Sequence, residues 1–192
     1  MSGHHHLFVP GPSNVPAAVQ QAIHCPMEDH RNPTIPDLIV PLVNDLKKIL
    51  FTEKGKTVFF PSSGTGCWEA ALQSTLNVGD TVLGASFGQF SMLWLDMCKR
   101  LQFKTIVMEE EWGTGANPEN YHRELSNDKN HDIKAVLVCQ NETATGVKSD
   151  VQAIRKTLDD LNHPALLMVD GVSSVASYEF RMDDWGVDCV VS

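Results

Sequence analysis

The sequence predicts an α/β protein, a three-layer sandwich built on a mainly parallel sheet. Short β-rich runs alternate with helical patterns along most of the chain. Apolar strands that are separated by crossover helices are typical of a parallel sheet with helices on both faces. The composition, 42% hydrophobic and 20% charged over 192 residues, is sufficient for one sizeable core.

The order of the elements divides the chain into an arm at residues 1–36 and a domain at 37–192. Prolines recur through the arm and favour an extended backbone, with one short helix predicted at 17–23. A helix is predicted at 37–50, where Pro41 favours a later start. The domain then continues with strands at 57–60, 81–85, 105–108, 135–139, 165–169 and 187–191, and with helices at 66–76, 87–101 and 150–161. A polar loop is predicted between the third and fourth strands, and Asp150 is predicted to cap the last helix.

Composition excludes several classes of function. The formal net charge of -9, without clustered Lys or Arg, argues against nucleic acid as a partner. The chain has no apolar run long enough to cross a membrane and no secretory leader, so we expect an intracellular protein. Five widely spaced cysteines indicate reduced core thiols rather than disulfides or a metal site, and we assign His4, His5 and His6 no metal.

A hydroxyl- and glycine-rich turn comes first among the candidate sites. Ser63, Gly64 and Thr65 lead directly into a predicted helix. Free backbone N–H groups at a helix start, together with the helix dipole and nearby hydroxyls, form a phosphate site. An ordinary N-cap with a glycine turn is the alternative.

Three further candidates follow predicted strands, where ligands of parallel sheets bind. Phe87 could stack on a flat ring or belong to the core. The Thr143 hydroxyl could contact a ligand, or its polar segment could simply end the strand. Asp170 follows a buried strand and needs a positive or hydrogen-bonding partner, which leaves a metal, a structural cap or a cofactor counter-ion open.

Taken together, these features resemble the class V aminotransferases, which are pyridoxal-phosphate enzymes of fold type I. Five segments carry the resemblance and span nearly the whole chain: residues 6–12, 63–69, 141–146, 169–174 and 184–188. The resemblance implies that the chain is most of the large cofactor-binding domain, incomplete at its C-terminus.

The resemblance also implies roles for individual residues, with pyridoxal 5'-phosphate as the cofactor. Ser63, Gly64 and Thr65 would bind its phosphate, and Thr143 would bond near its 3-oxygen. Asp170 would pair with the protonated pyridine nitrogen.

The same resemblance places apolar contacts on the cofactor ring and a substrate contact on the arm. Val172 would pack against one ring face, and Phe87 occupies the stacking position where the family often has Trp. Pro10, Gly11 and Pro12 would approach the substrate. No catalytic residue is expected within the chain, because the lysine that carries the cofactor is expected just after Ser192.

The resemblance is strongest to enzymes that move an amino group from serine to glyoxylate, giving hydroxypyruvate and glycine. It implies amino acid and 2-oxo acid substrates, a homodimer, and a peroxisomal or else cytoplasmic location. Alanine as the donor remains an alternative, as does a binding module that performs no chemistry. Cysteine desulfurases are disfavoured, because they stack a histidine where this chain has Phe87.

Overall fold

The structure is a computed structural model that describes residues 6–192, so His4 and His5 lie outside the described part. The chain divides into two compact units, Met1–Val43 and Asn44–Ser192. The first unit contains α1 (Ala17–Ile23), which confirms the predicted short helix. It also contains the first part of α2 (Ile35–Leu50), where Pro41 lies inside the helix instead of delaying its start.

A sheet of five parallel strands forms the centre of the second unit. Its strands lie in the order β2-β1-β3-β6-β7. Their bounds are Thr81–Ser86 for β1, Lys104–Glu109 for β2, Ile133–Cys139 for β3, Leu166–Asp170 for β6 and Cys189–Val191 for β7. A small antiparallel pair, β4 (Asn141–Glu142) and β5 (Val147–Lys148), follows β3.

Helices cover both faces of this sheet, which confirms the predicted fold class. The helices are α3 (Gly64–Thr75), α4 (Gln89–Arg100), α5 (Pro118–Asn127) and α6 (Val151–Asp160). Side chains alternate between the faces along each strand, because successive residues of a strand point in opposite directions. In β3, Val136 and Val138 pack in one apolar cluster with residues of α5 and α6, whereas Leu137 packs in a second cluster with residues of α3 and α4.

The order of the strands reverses between β1 and β3. The chain passes from β1 to β2 on one side and then crosses to β3 on the other. In open parallel sheets, such a reversal leaves a crevice beyond the carboxyl ends of the two strands, and ligands bind there. The fold therefore places the most favourable ligand position beside the residues that follow Ser86 and Cys139.

Two sequence predictions are wrong. Residues 57–60 do not form a strand: Val58, Phe59 and Phe60 are exposed, and no strand of the described residues pairs with them. β propensity alone does not satisfy backbone N–H and C=O groups, so a strand requires a neighbour. The loop predicted before β3 contains α5, which begins at the Asn117 cap and buries only Tyr121 and Leu125.

Candidate functional site

The predicted phosphate turn forms the uncapped N-terminus of α3. Ser63 is the N-cap residue in extended conformation, and its side chain makes no capping hydrogen bond. Its carbonyl accepts from Gly66 N at 3.0 Å, whereas the N–H groups of Gly64 and Thr65 find no acceptor in the described part of the chain. Free N–H groups at the positive end of a 12-residue helix attract an anion.

The other helices of the sheet use their N-terminal N–H groups internally. Asn117 accepts from Glu119 N at the start of α5, and Asp150 accepts from Ala153 N at the start of α6, as predicted for Asp150. The start of α4 binds the carboxylate of Glu142. Among the helices that cover the sheet, α3 is therefore the one whose first turn is available to an external anion.

The first residue of α3 lies directly against the turn that follows β6. A Cβ built on Gly64 would lie 2.6 Å from Cγ2 of Val172, which is closer than carbon atoms pack. Gly64 therefore allows the α3 N-terminus and Val172 to approach each other closely. Val172 keeps about half of its surface exposed, so one apolar side chain borders the uncapped helix start.

Asp170 ends β6 beneath the same turn. It is 5% exposed, and its Oδ1 accepts from Val172 N at 2.9 Å. Its Oδ2 lies 3.6 Å from the Cys139 thiol, which donates weakly to it. The pKa of Asp170 is raised to about 6, chiefly by burial and to a smaller extent by the nearby Glu142 carboxylate, while the bond from Val172 N opposes the rise.

Asp170 has no cationic partner among residues 6–192. The groups that stabilise its charge are the Val172 N–H, the Cys139 thiol and the Trp68 indole. That indole nitrogen is buried and makes no well-formed hydrogen bond in the described chain. A buried carboxylate with one well-formed hydrogen bond and no cation is stabilised when a cationic ligand group binds it.

Thr143 lies in a hydroxyl network that joins the ends of β3 and β6. Its Oγ1 and the Asn141 amide both lie 2.8 Å from Oγ of Ser173, and Ser173 in turn donates to the Asn141 carbonyl at 3.1 Å. Oδ1 of Asn141 is buried without a partner in the described residues. The network holds Thr143 just beyond the end of β3, and the neighbouring strand β6 ends at Asp170. It leaves Oδ1 of Asn141 without a hydrogen bond in the described residues.

Phe87 lies at the predicted place but is enclosed. Its ring is fully buried in the apolar cluster on the α5 and α6 face of the sheet. This is the core position that the sequence left open as an alternative to stacking. Pro10, Gly11 and Pro12 lie in the first unit, where all three are exposed.

Sequence reasoning missed the side chains that support these residues. Glu142, Cys139 and Trp68 are buried beside predicted site residues, and Ser173 is bonded to Thr143. Nothing in the sequence of the polar segment 141–146 indicates that Glu142 is buried. Its contacts with α4 span more than fifty positions and carry no local signal.

Two surface depressions lie elsewhere in the second unit. One is lined by parts of residues 182–188 with Arg155 and Asp159, and the other by residues 176–180 with Phe51. Residues 6–192 contain no group of His, Cys, Asp and Glu arranged to hold a metal. Over the same range, no helix combines the length and hydropathy that a bilayer crossing needs.

Comparison with known families places the chain. The family description "Aminotransferase class-V" matches residues 37–192. The chain therefore belongs to the class V aminotransferase family.

Individual relatives are informative about the kind of enzyme. The chain is 59% identical over 187 residues to a serine–glyoxylate aminotransferase of Hyphomicrobium methylovorum, covering 97% of the chain and 46% of that relative. It is 46% identical over 192 residues to an L-aspartate–glyoxylate aminotransferase of Paracoccus denitrificans, covering the whole chain and 48% of that relative. The crystal structure of ureidoglycine–glyoxylate aminotransferase from Bacillus subtilis superposes with a TM-score of 0.87 at 26% identity, over 95% of this chain and 46% of that one. The chain thus spans about half the length of the relatives it matches.

The site residues fit the cofactor of this family. The free N–H groups of Gly64 and Thr65 suit a phosphate, and the buried Asp170 without a cation suits a protonated ring nitrogen. Val172 supplies an exposed apolar surface between them. An anion site, an apolar surface and a carboxylate are the three features that a phosphorylated cationic ring requires.

Proposed function

We propose that this chain forms the cofactor-binding half of a pyridoxal-phosphate aminotransferase. The observation that carries the proposal is the pairing of the uncapped α3 N-terminus with the buried Asp170, joined through the contact of Gly64 with Val172. Family membership supports the same assignment independently. The carboxylate and the anion site bind opposite ends of one small ligand.

Each residue of the proposed site acts on a different part of the cofactor. Gly64 and Thr65 N–H groups, with the Ser63 and Thr65 hydroxyls, hold the phosphate at α3. Thr143 contacts the 3-oxygen region. Val172 packs against one face of the ring.

Asp170 carries the chemical role that this chain supplies. When bound, pyridoxal phosphate supplies a cationic ring that withdraws electrons from the substrate α-carbon. Asp170 keeps the proton on the ring nitrogen, because removing that proton would leave the buried carboxylate uncompensated. At pH 7 the carboxyl is largely ionised, since its pKa of about 6 lies below that pH.

The burial of Phe87 changes its proposed contribution. Stacking on the ring would require the side chain to turn out of the apolar cluster. We therefore propose that Phe87 supports the Ser86–Gly88 turn from beneath, and that Val172 provides the ring contact. The lysine that carries the cofactor and moves the proton is proposed to lie beyond Ser192.

For the whole protein, we propose transfer of the amino group of serine to glyoxylate. The identity of 59% to a serine–glyoxylate aminotransferase favours this donor. The relative that uses aspartate, at 46% identity over the same region, makes aspartate a second candidate. Alanine, the donor considered from the sequence, is a third.

The remaining expectations are proposals that rest on the resemblance. These are a homodimer, with the arm and α2 at the subunit boundary and Pro10, Gly11 and Pro12 near the substrate, and a peroxisomal location with a role in photorespiration. The exposed apolar side chains of α2 support the dimer, because a soluble protein rarely leaves such a face uncovered.

The activity is tested on the whole protein that the gene encodes. Reading the codons that follow Ser192 is expected to give a lysine within a few residues. The purified protein is then incubated with glyoxylate and either serine, alanine or aspartate, and glycine formation is measured. Fastest turnover with serine is expected; a faster reaction with alanine or aspartate would reassign the donor, and no reaction with any donor would favour a non-catalytic binding module.

A further inference from the structure

The carboxylate of Glu142 is a buried anion that the proposed chemistry does not use. Glu142 is fully buried in the second unit, and the bonds to its carboxylate come from the backbone. Oε2 accepts from Ser91 N at 2.9 Å and Oε1 accepts from Ala144 N at 3.1 Å, while Phe90 N donates to both oxygens, at 3.1 Å to Oε2 and 3.2 Å to Oε1. The charge is therefore satisfied by the first turn of α4 and by the turn that carries Thr143.

The packing around Glu142 leaves little freedom. A Cβ built on Gly88, the N-cap of α4, would lie 2.2 Å from Cγ and 2.4 Å from Cδ of Glu142. The glutamate stem thus occupies the space that a side chain at position 88 would need. This contact fixes the Phe87–Gly88 backbone against the segment immediately before Thr143.

We infer that Glu142 is a positioning residue of the cofactor site, which holds the α4 start and the Thr143 turn in register and fills the α4 N-terminus with an internal anion. This inference rests on the proposed function, since it names the residue that places Thr143 for the cofactor ring. The bond from Ser91 of α4 goes to Oε2 and the bond from Ala144 goes to Oε1, so both oxygens are needed to keep all the bonds that join the two segments. Because Glu142 already neutralises the partial positive charge at the N-terminus of α4, the cofactor phosphate binds at the N-terminus of α3 instead.

The charge of Glu142 also acts on Asp170. The ionisable groups that face Asp170 are Cys139 from β3 and Glu142 from β4, and the Glu142 charge raises the pKa of Asp170. Removing that charge while keeping the shape of the side chain should lower the pKa of Asp170. A role limited to filling space would leave the titration of Asp170 unchanged.

The test compares Glu142→Gln with Glu119→Gln, which removes the same charge from an exposed position of α5. Gln replaces one carboxylate oxygen by an NH2 group, which cannot accept, so the variant loses the bond from either Ser91 N or Ala144 N and sets two donors against each other there. The probes are 4′-deoxypyridoxine 5′-phosphate, which lacks the reactive aldehyde, and inorganic phosphate. Affinities are measured by calorimetry, and the Asp170 titration is followed in the unliganded chain by carboxyl-carbon NMR.

For Glu142→Gln we expect about tenfold weaker binding of the ring-bearing probe, unchanged binding of inorganic phosphate and a lower Asp170 pKa. Glu119→Gln should match the wild type in all three measurements. Equal loss of both probes, or wild-type binding with an unshifted Asp170, would overturn the inference. If the wild type binds neither probe, the cofactor assignment fails, while the Asp170 titration and the amide shifts of Phe90, Ser91 and Ala144 still decide the role of Glu142.

Should Glu142→Gln fail to fold, Gly88→Ala perturbs the same contact from the α4 side, and wild-type ring affinity in that variant would contradict the inference.

Discussion

At the scale of single residues, Asp170 determines what the site can bind. Its position after a buried strand was predicted from sequence, together with the need for a partner. The structure adds that Asp170 has a backbone N–H donor but no cationic partner among residues 6–192, and that burial is the main cause that raises its pKa to about 6. Because the folded state favours the protonated form, this carboxyl opposes folding once it ionises.

Asp170→Asn is expected to change how stability depends on pH. The pKa of Asp170 is 3.8 in the unfolded chain and about 6 in the folded chain. The unfolding free energy of the wild type therefore falls by up to roughly 3 kcal/mol as the pH rises from 4 to 7. Asn cannot ionise, so the variant should gain that amount relative to the wild type over this range. Urea unfolding at pH 4 and pH 7 measures the difference.

Asp132→Asn is the matched control, because Asp132 is exposed and lies just before β3, at the opposite end of the strands from Asp170. It should show the same pH dependence as the wild type. A stability difference between Asp170→Asn and the wild type that stays constant with pH would contradict the shifted pKa.

At the scale of elements, the site depends on how closely α3 approaches the turn after β6. Gly64→Ala should destabilise the protein by about 1 to 3 kcal/mol and weaken binding of 4′-deoxypyridoxine 5′-phosphate, because the new methyl group collides with Val172. Val172→Ala in the same chain should restore stability, since it removes the colliding methyl groups. Urea unfolding of the two single variants and the double variant forms a double-mutant cycle. Additive stability losses in the double variant would show that the two residues do not meet.

Several elements were predictable because their signals are local. The Asp150 cap and the short apolar runs of the buried strands are each signals that act within a few residues, and the structure confirms both. Residues 57–60 were mispredicted because their β propensity gives no information about a neighbouring strand. The helix α5 was missed because its surface is polar, although the Asn117 cap and Pro118 at its first position are start signals that could have identified it.

In the candidate site, too, features set by adjacent residues were predictable, whereas contacts between residues far apart in the chain were not. The Ser63–Thr65 turn is readable from sequence, because its chemistry follows from adjacent residues. The contact of Gly64 with Val172 and the bond of Thr143 to Ser173 join residues that are far apart in the chain. The pairing of β3 with β6 brings Thr143 to Ser173, and the packing of α3 on the sheet brings Gly64 to Val172, so these contacts are set by the fold and not by neighbouring residues in the sequence.

For the molecule as a whole, the exposed apolar side of α2 is the clearest indication that the chain self-associates. Leu38, Ile39 and Leu42 share one side of the helix and are 61%, 42% and 47% exposed, and α2 buries no residue in the described chain. We expect self-association that depends on concentration, measured by sedimentation velocity. Leu38→Lys should shift the chain toward monomer, because a charge would be buried at the interface.

The control for this prediction is Val78→Lys, which places the same charge at an exposed apolar residue in the loop between α3 and β1. It should associate as the wild type does. A wild-type chain that remains monomeric at high concentration would contradict the proposed interface.

The proposed pyridoxal-phosphate site, formed by the α3 N-terminus and Asp170, is tested by calorimetric titration of 4′-deoxypyridoxine 5′-phosphate at pH 7.5. At this pH the Asp170 carboxyl is ionised, given its pKa of about 6. The wild type and Asp132→Asn should bind the ligand equally, and Asp170→Asn should bind at least about tenfold more weakly, because a charge-assisted hydrogen bond is lost. Equal affinity in all three proteins, or no binding by the wild type, would contradict the proposed site.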